Sequence, residues 1–96
     1  LYRYDVRTGT LLGAAPLSTF AFAYDGSVFG PDGDLIVGDR LRLARLDDAT
    51  GQVVWNVTRS CSVSGACGPA LAGQALYIDE VASGGQVITR LDYATG

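Results

Sequence analysis

Apolar residues along this chain fall in short runs broken by glycine-rich turns, the pattern of a protein built from β-strands. Gly30-Pro31-Asp32-Gly33 precedes the run Asp34-Leu35-Ile36-Val37, and Gly38-Asp39-Arg40 separates that run from residues 41–46. After a Thr50-Gly51 turn comes Gln52-Val53-Val54-Trp55-Asn56-Val57, rich in β-formers. A second copy runs in parallel: Gly68-Pro69-Ala70-Leu71-Ala72-Gly73, residues 74–82, a Ser83-Gly84-Gly85 turn and residues 86–91. Each period predicts four short strands joined by tight loops, with a longer middle hairpin in the second copy. Residues 11–24 carry enough Ala and Leu to suggest a helix, but Pro16 interrupts them. Phe20-Ala21-Phe22-Ala23-Tyr24 then sets its aromatics on alternate residues, as one face of a strand does.

The pentapeptide Asp-x-x-Thr-Gly punctuates this pattern three times, as Asp5-Val6-Arg7-Thr8-Gly9, Asp47-Asp48-Ala49-Thr50-Gly51 and Asp92-Tyr93-Ala94-Thr95-Gly96. An arginine (Arg3, Arg45, Arg90) stands two residues before each Asp. Thr8 to Thr50 is 42 residues and Thr50 to Thr95 is 45, the period of a β-propeller blade. Within each turn the Asp carboxylate and Thr hydroxyl can bond backbone N–H groups, while Gly supplies the positive φ that closes a hairpin. The turn is expected to link the third and fourth strands of a blade. Three equivalent copies favour a scaffold role for Asp5, Asp47 and Asp92 over catalysis or metal binding.

The predicted fold is therefore all-β, a β-propeller fragment of stacked four-stranded antiparallel blades. Residues 1–15 would end one blade, 27–58 would form a full blade, and 68–96 most of the next. A chain that starts without Met and stops on its own repeated turn reads as a piece of something longer. Since a single repeat cannot bury its own faces, the expected partners are flanking blades of the same chain or further copies of it.

Composition narrows the function classes. A 48 % hydrophobic content excludes a charge-dominated disordered chain. The net charge of −3, with arginines spread from 3 to 90, leaves no footprint for nucleic acid. The most apolar stretch, 11–24, contains Pro16, Ser18 and Thr19 and falls short of the roughly 20 residues of a membrane-spanning helix. There is no histidine, so no Ser-His or Cys-His nucleophile can be assembled from these residues.

Residues 45–55, Arg-Leu-Asp-Asp-Ala-Thr-Gly-Gln-Val-Val-Trp, resemble the tryptophan-docking repeat of the PQQ-like (quinoprotein-type) β-propellers, in which Trp follows the turn glycine by four residues. The strands preceding the turn, 33–37 and 73–78, are similar to that family's pattern. The resemblance implies that Trp55 packs against a neighbouring blade. The chain departs from the family in having arginine where alanine is usual before the Asp, and Gly13 where the first copy would carry its Trp. The family includes dehydrogenases that hold pyrroloquinoline quinone and calcium with an Asp base and adjacent cysteines. No adjacent cysteine pair occurs, and nothing matches that cofactor site residue by residue.

Cys61 and Cys67 flank Ser62-Val63-Ser64-Gly65-Ala66, a loop short enough for a disulfide. Two free thiols or a metal site completed by carboxylates are the alternatives, and a disulfide points outside the cytosol. Asn56-Val57-Thr58 fits the N-glycosylation sequon. Asp32-Gly33-Asp34 with Asp39 alternates carboxylates in the manner of a calcium site but lacks the spacing of the 12-residue loop and its terminal Glu, and a solvated turn is the plainer reading. Asp79-Glu80 is expected to begin an exposed hairpin extension. The leading functional expectation is a non-catalytic propeller segment of an extracytoplasmic protein, a scaffold for protein or ligand binding with no cofactor of its own. The alternatives are part of a quinone- and calcium-dependent dehydrogenase whose site lies in other blades, and a sensor ectodomain.

Overall fold

The computed structural model describes residues 2–14, 26–61 and 68–96, and every regular element among them is a β-strand. A first sheet pairs β1 (Tyr2–Tyr4) with β2 (Leu11–Ala14). A central sheet runs in the order β3 (Gly26–Phe29), β4 (Leu35–Gly38), β5 (Arg42–Leu46) and β6 (Val53–Thr58). A third sheet holds β7 (Ala70–Ala72), β8 (Ala75–Ala82) and β9 (Gly85–Asp92). All pairings are antiparallel between neighbours in sequence. The order follows from the short turns, because two antiparallel strands joined by a few residues have no room for a crossover.

The predicted runs become strands with small shifts of boundary: 41–46 begins at Arg42, and 52–57 moves to Val53–Thr58. The eight-residue β8 and β9 form the longer middle hairpin that the second copy's extra residues predict. Residues 11–24 enter as β2 at their start, and the expected strand through Phe20, Phe22 and Tyr24 lies outside the described residues, as does Cys67. No helix of the described residues is long and apolar enough to cross a membrane.

The period-two alternation of side chains decides how the sheets stack. Ile36, Leu43 and Trp55 point from the central sheet into a cluster with Leu76, Ile78 and Tyr93 of the third sheet and the turn that follows it. Val37, Ala44 and Leu46 occupy the opposite face of the central sheet, with Leu35 packed against them. Both faces of this sheet are therefore apolar, and each is turned to a neighbour. On the third sheet Tyr77, Ile88 and Arg90 lie on the outward side, and all three are exposed.

A register irregularity falls between Arg3 and Tyr4 in β1 and again between Arg45 and Leu46 in β5. The unpaired residues are Leu12 in β2 and Val54 in β6, so the first two turns share a bulge in the strand that follows them, of the kind that re-aims flanking side chains, while the β8–β9 register runs unbroken to the third turn.

Candidate functional site: the junctions between sheets

The three Asp-x-x-Thr-Gly turns share one construction. The Asp5 carboxylate accepts from the N–H groups of Arg7 (2.8 Å) and Thr8 (3.0 Å). Asp92 does the same for Ala94 (2.8 Å) and Thr95 (3.1 Å). Asp47 accepts from the Thr50 N–H at 2.7 Å and from its hydroxyl at 2.9 Å. The Thr8 and Thr50 hydroxyls accept in turn from the N–H two residues on. Gly9, Gly51 and Gly96 close the turns at φ of 70°, 72° and 90°, each donating its N–H to the Asp carbonyl at 2.8 Å. A side chain on any of these glycines would be strained, which accounts for glycine in all three copies.

At the junction of the central and third sheets, β6 reaches the third of these turns. Trp55 is almost fully buried, and its indole Nε1–H donates to the Tyr93 carbonyl at 2.8 Å. The ring lies close over the end of the turn: a Cβ built on Gly96 would stand 3.1 Å from it. Arg45, paired with Trp55 across β5 and β6, donates from Nη1 to the same carbonyl at 3.1 Å. Its guanidinium also stacks 4.2 Å above the Tyr93 ring.

Three further contacts complete this cluster. Arg45 Nε bonds Asp34 and Nη2 bonds Asp32, both at 2.8 Å. The buried Tyr93 hydroxyl donates to Asp32. Its ring crosses so close to Gly30 that any Cβ there would overlap it. The Gly30-Pro31-Asp32-Gly33 turn, bonded from Gly33 N–H to Gly30 carbonyl at 3.1 Å, sets both carboxylates in place.

These positions correct the reading of a solvated turn for Asp34 and Asp39, though not for the exposed Asp32. Asp34 and Asp39 are buried, and Asp32 is ion-paired. Asp34 also accepts from the Asp48 N–H at 2.9 Å, and Asp39 from the N–H groups of Leu41 and Arg42, both at 2.8 Å. The carboxylates are used to stitch turns and to neutralise Arg45. Asp79 and Glu80 are likewise half-buried rather than exposed. The Asp79 carbonyl accepts from Arg59 at 3.3 Å, and the Glu80 carboxylate from the Ser60 N–H at 3.1 Å.

The junction of the first and central sheets repeats half of this arrangement. Arg3 donates from Nη1 to the carbonyl of Asp48, the residue that occupies the Tyr93 place in the middle turn, and to that of Ala49 at 3.3 Å. Its Nε stands 3.5 Å from the Asp48 carboxylate. Arg3 pairs with Gly13 in β2 as Arg45 pairs with Trp55 in β6. Where the indole would stand there is instead a cavity of about 510 Å³.

No family model, curated protein or solved structure matches this chain.

The remaining candidate residues lie apart from the junctions. Asn56 is exposed on β6, the edge strand of its sheet, and its amide oxygen accepts from Arg42 at 3.5 Å. Cys61 follows β6, with its N–H donating to the Arg40 carbonyl at 3.1 Å. Among the described residues no group of three or more His, Cys, Asp or Glu side chains could hold a metal ion. The sequence alone assigned no role to Arg3, Arg45 and Tyr93 and gave Asp32 and Asp34 only a place in a turn. The one available signal was the arginine recurring two residues before each turn.

The cluster also sets local proton affinities. The Tyr93 hydroxyl bond, reinforced by backbone bonds and the Arg45 charge, holds Asp32 below its ordinary 3.8. Bonds from the Thr50 backbone and side chain lower Asp47 likewise. Burial and the hydrogen bond to Asp32 raise the Tyr93 phenol above its ordinary 10.0. Arg45 stays charged: burial opposes the charge, but the bond to Asp34 and the nearby carboxylates favour it more.

Two predictions follow from this geometry. Trp55→Ala should lower the unfolding free energy by about 3–5 kcal/mol, the usual cost of removing a buried indole. Trp55→Phe should cost less, since the Tyr93 carbonyl keeps Arg45. Denaturant titration checks both, and an unchanged midpoint for Trp55→Ala would remove the indole from any role in stacking. The second concerns pH. A carboxylate lowered in the folded chain contributes stability above its unfolded value and loses it as pH falls through its folded value. Asp47→Asn should therefore be less stable than the parent at pH 7, and the gap should close as pH drops below 3.8. Melting curves across that range test the sign, and a constant gap would refute it.

Proposed function

We propose that this chain is a segment of a PQQ-like β-propeller that works as a non-catalytic scaffold, presenting loops and inter-blade space to a protein or small ligand. The observation that carries the reading is the repeat of the junction itself. An arginine from one sheet caps a carbonyl in the next sheet's turn at both junctions, and Trp55 docks beside it at one of them. The outward face of the third sheet supports continuation of the stack. Counting back from its own turn motif, Ile88 and Arg90 hold the places of Leu43 and Arg45, and Tyr77 faces Arg90 as Ile36 faces Arg45. Leu43 and Ile36 are fully buried by a neighbouring sheet, whereas Tyr77 is 37 % exposed and Ile88 71 %. Another copy of the same repeat would cover them.

The reading extends to the compartment. A disulfide between Cys61 and Cys67 would close a small loop at the end of β6 and restrict the unfolded chain by about 2 kcal/mol. Such a bond, and a glycan on the exposed Asn56, belong to an extracytoplasmic protein.

Substitution of Ile88 tests the scaffold. A lysine on an open surface changes stability by less than about 0.5 kcal/mol, while a charge forced into a covered apolar face costs several times more. Ile88→Lys in the full-length protein should therefore lower its melting temperature clearly, and a neutral result would leave the stack without its next member. Peptide mapping under non-reducing conditions tests the compartment: the peptides holding Cys61 and Cys67 should be recovered linked. Recovery of both as alkylated free thiols would refute the disulfide.

A further inference from the structure

The two junctions differ at one position, and the difference leaves a shaped space. In the central–third junction the indole of Trp55 fills the gap between the sheets, beside Gly96 and under the Tyr93 carbonyl. In the first–central junction Gly13 holds the same register place, opposite Arg3. A Cβ on Gly13 would meet nothing within 4 Å. The turn that would receive an indole is nevertheless built: Gly51 closes it as Gly96 does, and the Asp48 carbonyl is held by Arg3 as that of Tyr93 is held by Arg45. A carbonyl oxygen has two acceptor sites, so Asp48 can take one more N–H donor.

We propose that the cavity of about 510 Å³ between the first and central sheets is a binding site for a planar aromatic ring carrying an N–H donor, an indole-like ligand. The proposal rests on the stacked-repeat reading above, because it takes the two junctions as equivalent. The ring lies where Trp55 lies in the other junction, flat against Gly51, with its N–H toward the Asp48 carbonyl. Phe29 and Leu46 of the central sheet and Leu12 of the first supply apolar walls. The volume suits a molecule larger than a bare indole, within the roughly 300–1,000 Å³ of small-molecule sites. The cleft joins these apolar walls to a polar rim of Arg3, Ser27, Asp47, Asp48 and Thr50, in which the Asp48 carbonyl and the Arg3 guanidinium orient the ligand and the sheets contribute contact area.

Binding of indole to the full-length protein, followed by ligand-observed NMR and calorimetry, is the test. Indole should bind, and 1-methylindole, which lacks the donor, should bind about three- to tenfold more weakly, as the loss of one hydrogen bond implies. Gly13→Trp should raise the melting temperature by refilling the dock and should abolish indole binding. Gly13→Leu, a smaller change at the same open Cβ, should block indole as well. N-acetyltryptophanamide separates two sources of the ring: tighter binding than indole assigns the site to a tryptophan side chain of a partner, weaker binding to a free ligand. No indole binding in the parent, or binding retained in both Gly13 variants, overturns the site. A raised melting temperature in Gly13→Trp without indole binding in the parent overturns the ligand alone and leaves the equivalence of the junctions standing. A Gly13→Trp variant that folds with a lowered melting temperature overturns that equivalence.

Discussion

The stacking of these sheets depends on one guanidinium. Arg45 lies in the junction with its side chain 13 % exposed, in a place where an unpaired charge would cost several kcal/mol. It is instead held on four sides, by Asp32, Asp34, the Tyr93 carbonyl and the Tyr93 ring. These partners come from two separate parts of the chain, the Asp32–Asp34 segment and Tyr93, so satisfying the charge fixes where those parts stand. The Gly30–Gly33 turn must present two carboxylates, and the final turn must bring Tyr93 over Gly30. An apolar junction of the same area would tolerate sliding, because the hydrophobic effect has no direction. The hydrogen bonds of Arg45 do not.

Apolar packing then supplies the energy that the polar contacts only direct. Ile36, Leu43 and Trp55 interlock with Leu76, Ile78 and Tyr93 on one side of the central sheet, while Val37, Ala44 and Leu46 cover the other. A sheet buried on both faces reads as a continuous apolar run, and β4 does so as Leu-Ile-Val. Burial also strengthens the polar cluster, since the Trp55 and Arg45 bonds to a single carbonyl lie away from water.

The strands and turns were legible in the sequence because their causes are local. Glycine at positive φ, an Asp side chain bonding N–H groups two and three residues on, and short β-branched runs all declare themselves within a few positions. The junction was legible only in part. Trp55 stood out as a large residue in a repeated context, whereas the ion pairs of Arg45 join residues 11 and 13 apart, and its contact with Tyr93 spans 48. Nothing near Asp32 or Asp34 marks a distant cation, so turn composition suggested solvent where the fold places a guanidinium. The recurring arginine carried the missing information. It was visible as a departure from the expected alanine, and only the geometry gave that departure a purpose.

The two junctions share some parts of this design and differ in others. The arginine-to-carbonyl contact is present at both, while the tryptophan is present at one. If the indole set the alignment of the sheets, the junction with Gly13 would have lost it. Yet Arg3 still reaches the carbonyl of the residue that corresponds to Tyr93, and the register shift beside the arginine recurs in both strand pairs. Alignment therefore belongs to the arginine and the turn, and the indole fills the space they define. A repeat organised in this way can drop a large side chain from one junction and keep its architecture. The space left at that junction is still bordered by the arginine and by the turn carbonyl it holds.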